Sequence, residues 1–327
     1  MPNYKDIPEV NSTHGSTLAS PELKRAGIGH ASLVIDQDKL PQGFPIHQWA
    51  DAFSRYSEYW GWFTGEKLDE ERSETPDGQS VSKFPLKINP VRDFSRKHTA
   101  LLFGEPSETD DLIVKTVITP KRSLFSDEPP TDRQKQLGKF YANVVNEVWK
   151  ASNGSSLMIE NGVLTQFLGG SYFQIEHEPW RKDSVIPLRI KNVLPDFVMP
   201  IWGDDPWDML ECWIVYRITS ATAKHEWGLD VSSEQGPYVI YVEHWTRTEH
   251  SIYINGEPLI ATYFVAGEDP VKISYNKRKH NFGFVPIVYI PRMREGSFFG
   301  SSLVPDIIGL LLELNGRAAD WGTIVQK

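Results

Sequence analysis

A chain of 327 residues with 40% hydrophobic and 24% charged positions can bury one sizeable core or two moderate ones, which excludes a disordered protein. Its net charge of −9 excludes a protein that wraps itself in nucleic acid, because tight phosphate binding needs clustered Lys and Arg. The single cysteine, Cys212, excludes an internal disulfide, no run approaches the roughly 18 to 20 apolar residues of a membrane span, and the start Met1-Pro-Asn-Tyr-Lys-Asp6 lacks a signal peptide's basic and apolar regions, so a cytosolic address is expected.

Residues 1 to about 45 carry Pro, Gly, Ser, Thr and Asn without periodicity and read as a loose arm. From His47 to Phe63 the spacing of Trp49, Phe53, Tyr56 and Trp60 predicts an amphipathic helix with an aromatic face. Such a face serves either a partner or its own domain. Glu66 to Ser82 is polar and reads as a linker or loop, and Phe84 to Ile88 as a short strand. Asn89-Pro90 is a cap followed by a first-turn proline, which predicts a helix to Phe103 ending at Gly104. Leu112 to Ile118 is β-branched enough for a strand.

Asp132 to Ala151 is a predicted helix with Leu137, Tyr141, Val144, Val145 and Val148 on one side, stopped by Ser152-Asn-Gly-Ser155. A second helix covers Ser156 to Leu168, interrupted by Gly162. After Gly169-Gly170 the character becomes β. Strands are predicted over Tyr172–Ile175, Val185–Ile190, Leu210–Ile218, Tyr238–Trp245, Ser251–Ile254, Ile260–Val265, Val271–Tyr275 and Val285–Ile290. Asn255-Gly256 between two β-rich runs is the best hairpin signal.

Pro291 to Gly296 breaks the last strand, Ser302 can cap a helix, and Pro305 suits its first turn. Leu303, Ile307, Leu311, Leu314, Ala318, Trp321 and Val325 then recur at steps of three and four, a single helical stripe with Asp306, Glu313 and Asp320 on another face. No Gly or Pro stop follows Val325. Helices, then strands, then a long helix imply an α+β fold with a largely antiparallel sheet. The expected division is an arm over 1–80, an α+β body over 81–300 and the start of a long helix over 301–327.

Chemistry-bearing patterns are sparse. A Walker-type phosphate loop and a Gly-x-Ser-x-Gly elbow do not occur. Glu176-His177-Glu178, Glu243-His244 and Glu249-His250 set carboxylates beside imidazoles, but neighbours on a strand face opposite ways, so a metal or acid–base site needs His177, His244 and His250 to converge in space. Cys212, between Glu211 and Trp213 in an apolar strand, reads as a small buried hydrophobe. Lys277, Arg278 and Lys279 with His280, Arg292 and Arg294 form the most basic stretch, suited to DNA phosphate, to solvent, or to acidic neighbours in a ring. Eleven tryptophans, among them Trp180, Trp202, Trp207, Trp213, Trp227 and Trp245 in the β region, suit either sugar-stacking platforms or buried interfaces.

Four stretches carry a family resemblance in order. Asn89-Pro-Val-Arg-Asp-Phe-Ser-Arg-Lys-His-Thr-Ala-Leu-Leu-Phe-Gly-Glu-Pro106, Leu168-Gly-Gly-Ser-Tyr-Phe-Gln174, Tyr241-Val-Glu-His-Trp245, and the strand Gly283-Phe-Val-Pro-Ile-Val288 with Gly296-Ser-Phe-Phe-Gly-Ser-Ser-Leu303 and a Leu-rich helix bearing Asn315 and Asp320 resemble the portal (head-to-tail connector) proteins of tailed bacteriophages. The resemblance runs from about Asn89 to the C-terminus. It implies a non-enzymatic structural protein without cofactors, found in the host cytoplasm before assembly and afterwards in the virion at one capsid vertex. There it would form a head-to-tail, twelve-fold ring for passage of double-stranded DNA during packaging and ejection. Implied partners are the large terminase subunit, the scaffold and major capsid proteins and head-completion adaptors, with no membrane. Portal chains usually continue through a clip, a returning stem helix, a tunnel loop and a crown, and none follows Lys327, so this chain is expected to be a shortened form. The competing readings are a glycan-binding β-module using its tryptophans and a hydrolase using its Glu-His strands.

Overall fold

The computed structural model describes residues 39–67, 88–103, 131–177, 186–205, 207–229, 237–263, 271–294 and 299–326. The arm before residue 39, most of the polar stretch 66–82, nearly all of the strand expected over 84–88, the strand over 112–118, Gly104 and Trp180 lie outside them. Among the described residues four helices come first: α1 (Ile46–Thr64), α2 (Pro90–Phe103), α3 (Asp132–Ala151) and α4 (Gly154–Leu168). The start of α3 follows from a reciprocal cap. Thr131 Oγ1 accepts from the Gln134 amide at 3.3 Å, and Gln134 Oε1 accepts from the Thr131 amide at 2.8 Å. In α4 apolar and small residues surround the whole helix, so it is buried on nearly every side, and Gly162 lies inside it without breaking it.

The aromatic face of α1 packs on this central helix. Trp60 meets Phe167 edge-on at 4.8 Å between ring centres, and Phe63 stacks on Phe167 at 4.1 Å. The helix grouped with the arm on sequence thus contributes Ala52, Tyr56, Trp60 and Trp62 to the main core. The side chains of Trp49 and Phe53 lie outside the described part.

The middle of the chain is antiparallel β. Strands β1 (Gly170–His177), β2 (Leu188–Val193) and β11 (Ile287–Pro291) form a three-stranded sheet in the order β11-β1-β2. A larger sheet runs β10 (Arg278–Lys279), β6 (Glu249–Ile254), β5 (Tyr238–Thr246), β4 (Met209–Thr219) and β3 (Val198–Trp202), with β7 (Glu257–Pro258) hanging on β6. A separate pair joins β8 (Ile260–Tyr263) to β9 (Val271–Ser274). Every pairing is antiparallel, so with the flanking helices the fold is α+β. Asn255 and Gly256 take φ of 49° and 86° and Ile254 pairs with Glu257, a two-residue turn whose left-handed positions favour those residues. Cys212, Trp213, Ile214 and Val215 are all buried, so β4 is covered on both faces. The short helix α5 (Ser220–Trp227) lies over the smaller core cluster, which includes Ile218, Val239, Tyr241 and Leu259. Sequence periodicity did not reveal β3, β7, β10 or α5.

The last helix, α6 (Val304–Gln326), is tied to the body at its start. Ser302 Oγ donates to Phe167 O at 2.5 Å and accepts from Val304 N–H at 3.0 Å, while Leu303 N–H donates to Gln166 O at 2.9 Å. About three turns later, Asn315 sits buried and bridges to the chain ahead of α2, accepting from Ile88 N–H at 3.0 Å and donating to Ile88 O at 2.9 Å. The buried side of α6 comprises Val304, Leu311 and Asn315, with Ile307, Ile308 and Leu312 partly covered. This differs from the expected single stripe. Leu303, Ile307 and Leu311 belong to the inner side, Ala318 is half-buried, Leu314 and Trp321 are exposed, and the side chain of Val325 lies outside the described part.

At dilute protein, Leu311→Ala is expected to lower the free energy of unfolding by about 2–5 kcal/mol, and Leu310→Ala by less than about 0.5 kcal/mol. Urea denaturation of the two variants checks this; equal losses would mean the inward face of α6 is misassigned.

Candidate functional site

The charged and imidazole side chains singled out on sequence go to different places. Glu243 is buried where the two main sheets meet: Gln174 Nε2 of β1 donates to it at 3.0 Å, Tyr241 OH at 2.7 Å and Trp245 Nε1 at 2.8 Å. The His250 Nε2 atom stands 3.7 Å away, within ion-pair reach and beyond hydrogen-bond length. Burial pushes this carboxyl up, but the facing His250, the charge of Lys191 and the Trp245 N–H outweigh it and hold the group well below the usual carboxylate range. This cluster is a polar pin between sheets.

The three histidines do not converge. Trp245 pairs with His250 across the ladder and the two rings stack at 3.6 Å, so His250 shares the face of Trp245. His244, one residue away, faces the other side, stacked on Trp213 at 3.7 Å with Nε2 3.0 Å from Glu211. His177 ends β1 in the other sheet. Among the described residues no group of three His, Cys, Asp or Glu could hold a metal. Cys212 is fully buried, and burial raises its thiol well above the ordinary value, which disfavours the nucleophilic thiolate.

The basic stretch also divides. Lys277, Arg278 and Lys279 are exposed, with Arg278 5.7 Å from the centre of the Tyr275 ring, and β10 pairs Arg278 with His250 and Lys279 with Glu249. Arg292 is half-buried and serves the start of α6: its Nη1 donates to Ser301 O at 3.3 Å and its Nη2 lies 3.6 Å from Asp306. Arg294 lies over the ring of Trp207 at 4.1 Å and 5.8 Å from that of Tyr289.

That last contact marks a cleft of about 310 Å³ between the β3–β4 connection and β11. Trp202, Trp207, Phe284, Val288 and Tyr289 give it apolar walls, and Arg294 with the ion-paired Arg247 and Asp208 gives it charge. Sequence reading singled out Trp207 and Arg294 separately. Nothing in their spacing joined them, because the cleft draws on connections far apart in the chain. Of the β-region tryptophans within the described residues, Trp213 and Trp245 are buried, Trp202 and Trp227 partly so, and Trp207 is 70% exposed beneath a guanidinium. No row of open rings forms among them.

The remaining feature is exposed apolar surface on helices. Leu310, Leu314 and Trp321 share one side of α6 at four- and seven-residue steps, and Leu310 and Trp321 are 66% and 75% exposed. Leu137, Phe140, Tyr141 and Val145 are exposed along α3, as are Leu101 and Leu102 at the end of α2. No protein-family model matches the chain, and no curated protein matches it significantly.

A second buried carboxyl, Asp196, accepts from Trp60 Nε1 at 3.1 Å and is pushed up to about 6 by burial, only partly offset by that bond and a backbone amide. With the folded value raised above the usual Asp value of about 3.9, its penalty is complete above pH 6 and is relieved as pH falls toward 4. Relative to the unmodified protein, Asp196→Asn is therefore expected to gain about 2–3 kcal/mol between pH 4 and pH 8. Urea unfolding across that range checks it, and a flat difference would contradict the assignment.

Proposed function

We infer that this chain is a structural subunit of a portal-type ring, in which copies associate head to tail around a channel for double-stranded DNA. The reading rests on the four motif stretches in portal order and, above all, on one physical observation: α6 is anchored at its first turns and carries bare apolar side chains farther on. An apolar row of this kind is costly in water and is covered by association. Contacts between unlike surfaces of identical subunits close into a ring when the rotation per copy divides a circle, and the family pattern implies twelve copies. The body of helices and antiparallel sheets would then lie outward. Around the channel, a surface with few fixed cations lets a polyanion slide, consistent with the net charge of −9.

In this reading the protein performs no covalent chemistry and needs no cofactor. Its partners would be further copies of itself, the large terminase, scaffold and major capsid proteins and head-completion adaptors, at one capsid vertex of a virion. Asp306 and Glu313 are 62% and 56% exposed at the side chain, so they can face solvent or a neighbouring copy.

Mass determination over a concentration series, with negative-stain imaging of the largest species, tests the proposal. The expected result is one discrete high-mass species with a central hole. A monodisperse monomer at every concentration would count against it.

A further inference from the structure

Carboxylates outnumber cations 43 to 34 in the chain, yet from Val271 to Arg294 there are six Lys and Arg and no Asp or Glu. The structure splits this run. Arg292 and Arg294 are engaged at the start of α6 and over Trp207. Lys277, Arg278 and Lys279 stand apart, all exposed on the segment that leads into and forms β10, the end strand of the larger sheet. Among the described residues Lys191, Arg247, Arg292 and Arg317 each form an ion pair with a carboxylate, and these three form none. Lys279 faces Glu249 across the ladder without closing on it.

The backbone that carries these cations is fixed on both sides. Ahead of them Ile252 N–H donates to Tyr275 O at 3.0 Å and Tyr275 N–H to Leu259 O at 2.9 Å. Behind them His280 N–H donates to Thr248 O at 3.0 Å, and its ring Nε2 lies 3.0 Å from Thr246 O. Between these ties Lys277 takes φ of 50°, a left-handed value uncommon for a lysine, and its N–H donates to the hydroxyl of the buried Ser251 at 2.8 Å. A conformation of that kind persists only where the surroundings enforce it. The His280 N–H points into the sheet, so by the alternation of an antiparallel strand the Lys279 N–H points out of it, at the end strand's outer edge.

Three cationic side chains, an outward amide and the exposed Ser274 and Asn276 make a surface of hydrogen-bond donors. Phosphate oxygens of nucleic acid are bound by this set of groups. Protein–protein contacts depend instead on aromatic and aliphatic anchors, and the run Asn276-Lys-Arg-Lys-His280 contains no aliphatic side chain and no Phe, Tyr or Trp. A phosphate backbone is therefore favoured over an acidic protein segment. We propose that Lys277, Arg278 and Lys279 form a docking patch for the phosphate backbone of double-stranded DNA, bound without regard to sequence. The patch belongs to the β body and not to α6, so the proposal holds whether or not copies associate. Non-specific contacts of this kind have Kd on the order of 10⁻⁴–10⁻⁶ M at physiological salt, a weak and local binding that an overall charge of −9 permits.

Fluorescence anisotropy of a short labelled DNA duplex, titrated with dilute full-length protein across a salt series, tests the proposal. Three phosphate contacts are expected to give a slope of log K against log salt of about −2.7. Lys277→Asn, Arg278→Gln and Lys279→Gln are each expected to lower its magnitude by about 0.9, and the triple variant to raise Kd at least about tenfold. Asn tolerates the left-handed position of Lys277 and all three side chains are exposed, so the urea midpoint should stay parental. Lys139→Gln, which removes an exposed cation of α3, is expected to leave the slope unchanged. The proposal is overturned if the chain shows no salt-dependent binding, or if a triple variant with the parental urea midpoint binds as the parent does. Should the triple variant lose that midpoint, the single variants decide, and parental slopes in all three overturn it. Competition by polyglutamate equal to that by unlabelled duplex at matched charge also overturns it and assigns the patch to an acidic protein. Each of these failures leaves the assembly reading in place, because the measurement does not depend on a ring.

Discussion

Two glycines from distant parts of the chain come together where the last helix joins the body. A Cβ on Gly300 would lie 2.1 Å from Gly169 O, and one on Gly169 would lie 2.5 Å from Gly300 O. No other residue allows backbones to pass this closely, and Gly169 also takes φ of 84°, a left-handed value that ends α4. Around this crossing the bonds are dense: Arg292 N–H donates to Gly169 O at 3.0 Å, Gly300 N–H to Tyr289 OH at 2.7 Å, and Ser302 Oγ to Phe167 O. The orientation of α6 follows from it. Because the first turn is fixed against the end of α4, the direction of the remaining turns is set, and with it the side on which Leu310, Leu314 and Trp321 emerge.

The same crossing connects the layers. The central helix α4 ends at Gly169, β1 begins at Gly170, and β11 lies beside β1 with Tyr289 against Tyr172. Through Gln174, β1 reaches the buried carboxylate of Glu243 in the larger sheet. Tyr241 and Trp245 hold this charge from its own strand and Gln174 from the other sheet, so the cluster gives little net stability, but sliding one sheet over the other would cost the Gln174 bond to a buried charge. Packing supplies the stability and the polar pin supplies the register. Together they give α6 a rigid base, which a projecting assembly element needs.

Much of this was legible in the sequence. The helix over 132–151 was readable to the residue because Leu137, Tyr141, Val144, Val145 and Val148 keep a clean period ahead of the Ser152-Asn-Gly-Ser155 stop, and the hairpin at Asn255-Gly256 because only a few residues tolerate those dihedrals. The glycine pairs were visible as motifs, but not the contact of Gly169 with Gly300, which joins positions far apart in the chain. β3 was hidden by Pro200, tolerated because β3 ends its sheet. The inward face of α6 was ambiguous for a simpler reason: Val304, Ile307, Ile308, Leu310, Leu311 and Leu312 place apolar groups all around its first turns, so spacing alone cannot select a side. The cleft had no sequence signature, because Trp207, Arg247, Phe284 and Arg294 come from separate loops and turns.

The central claim is that α6 has an anchored half and a half that waits for a partner. Hydrogen–deuterium exchange along this helix, followed from dilute to concentrated protein, addresses it most directly. Amides from Leu303 to Asn315 should be protected at every concentration, while those beyond Gly316 should gain protection only as copies associate. Uniform protection of the whole helix in dilute solution, or no gain in its distal half on concentration, would contradict the account.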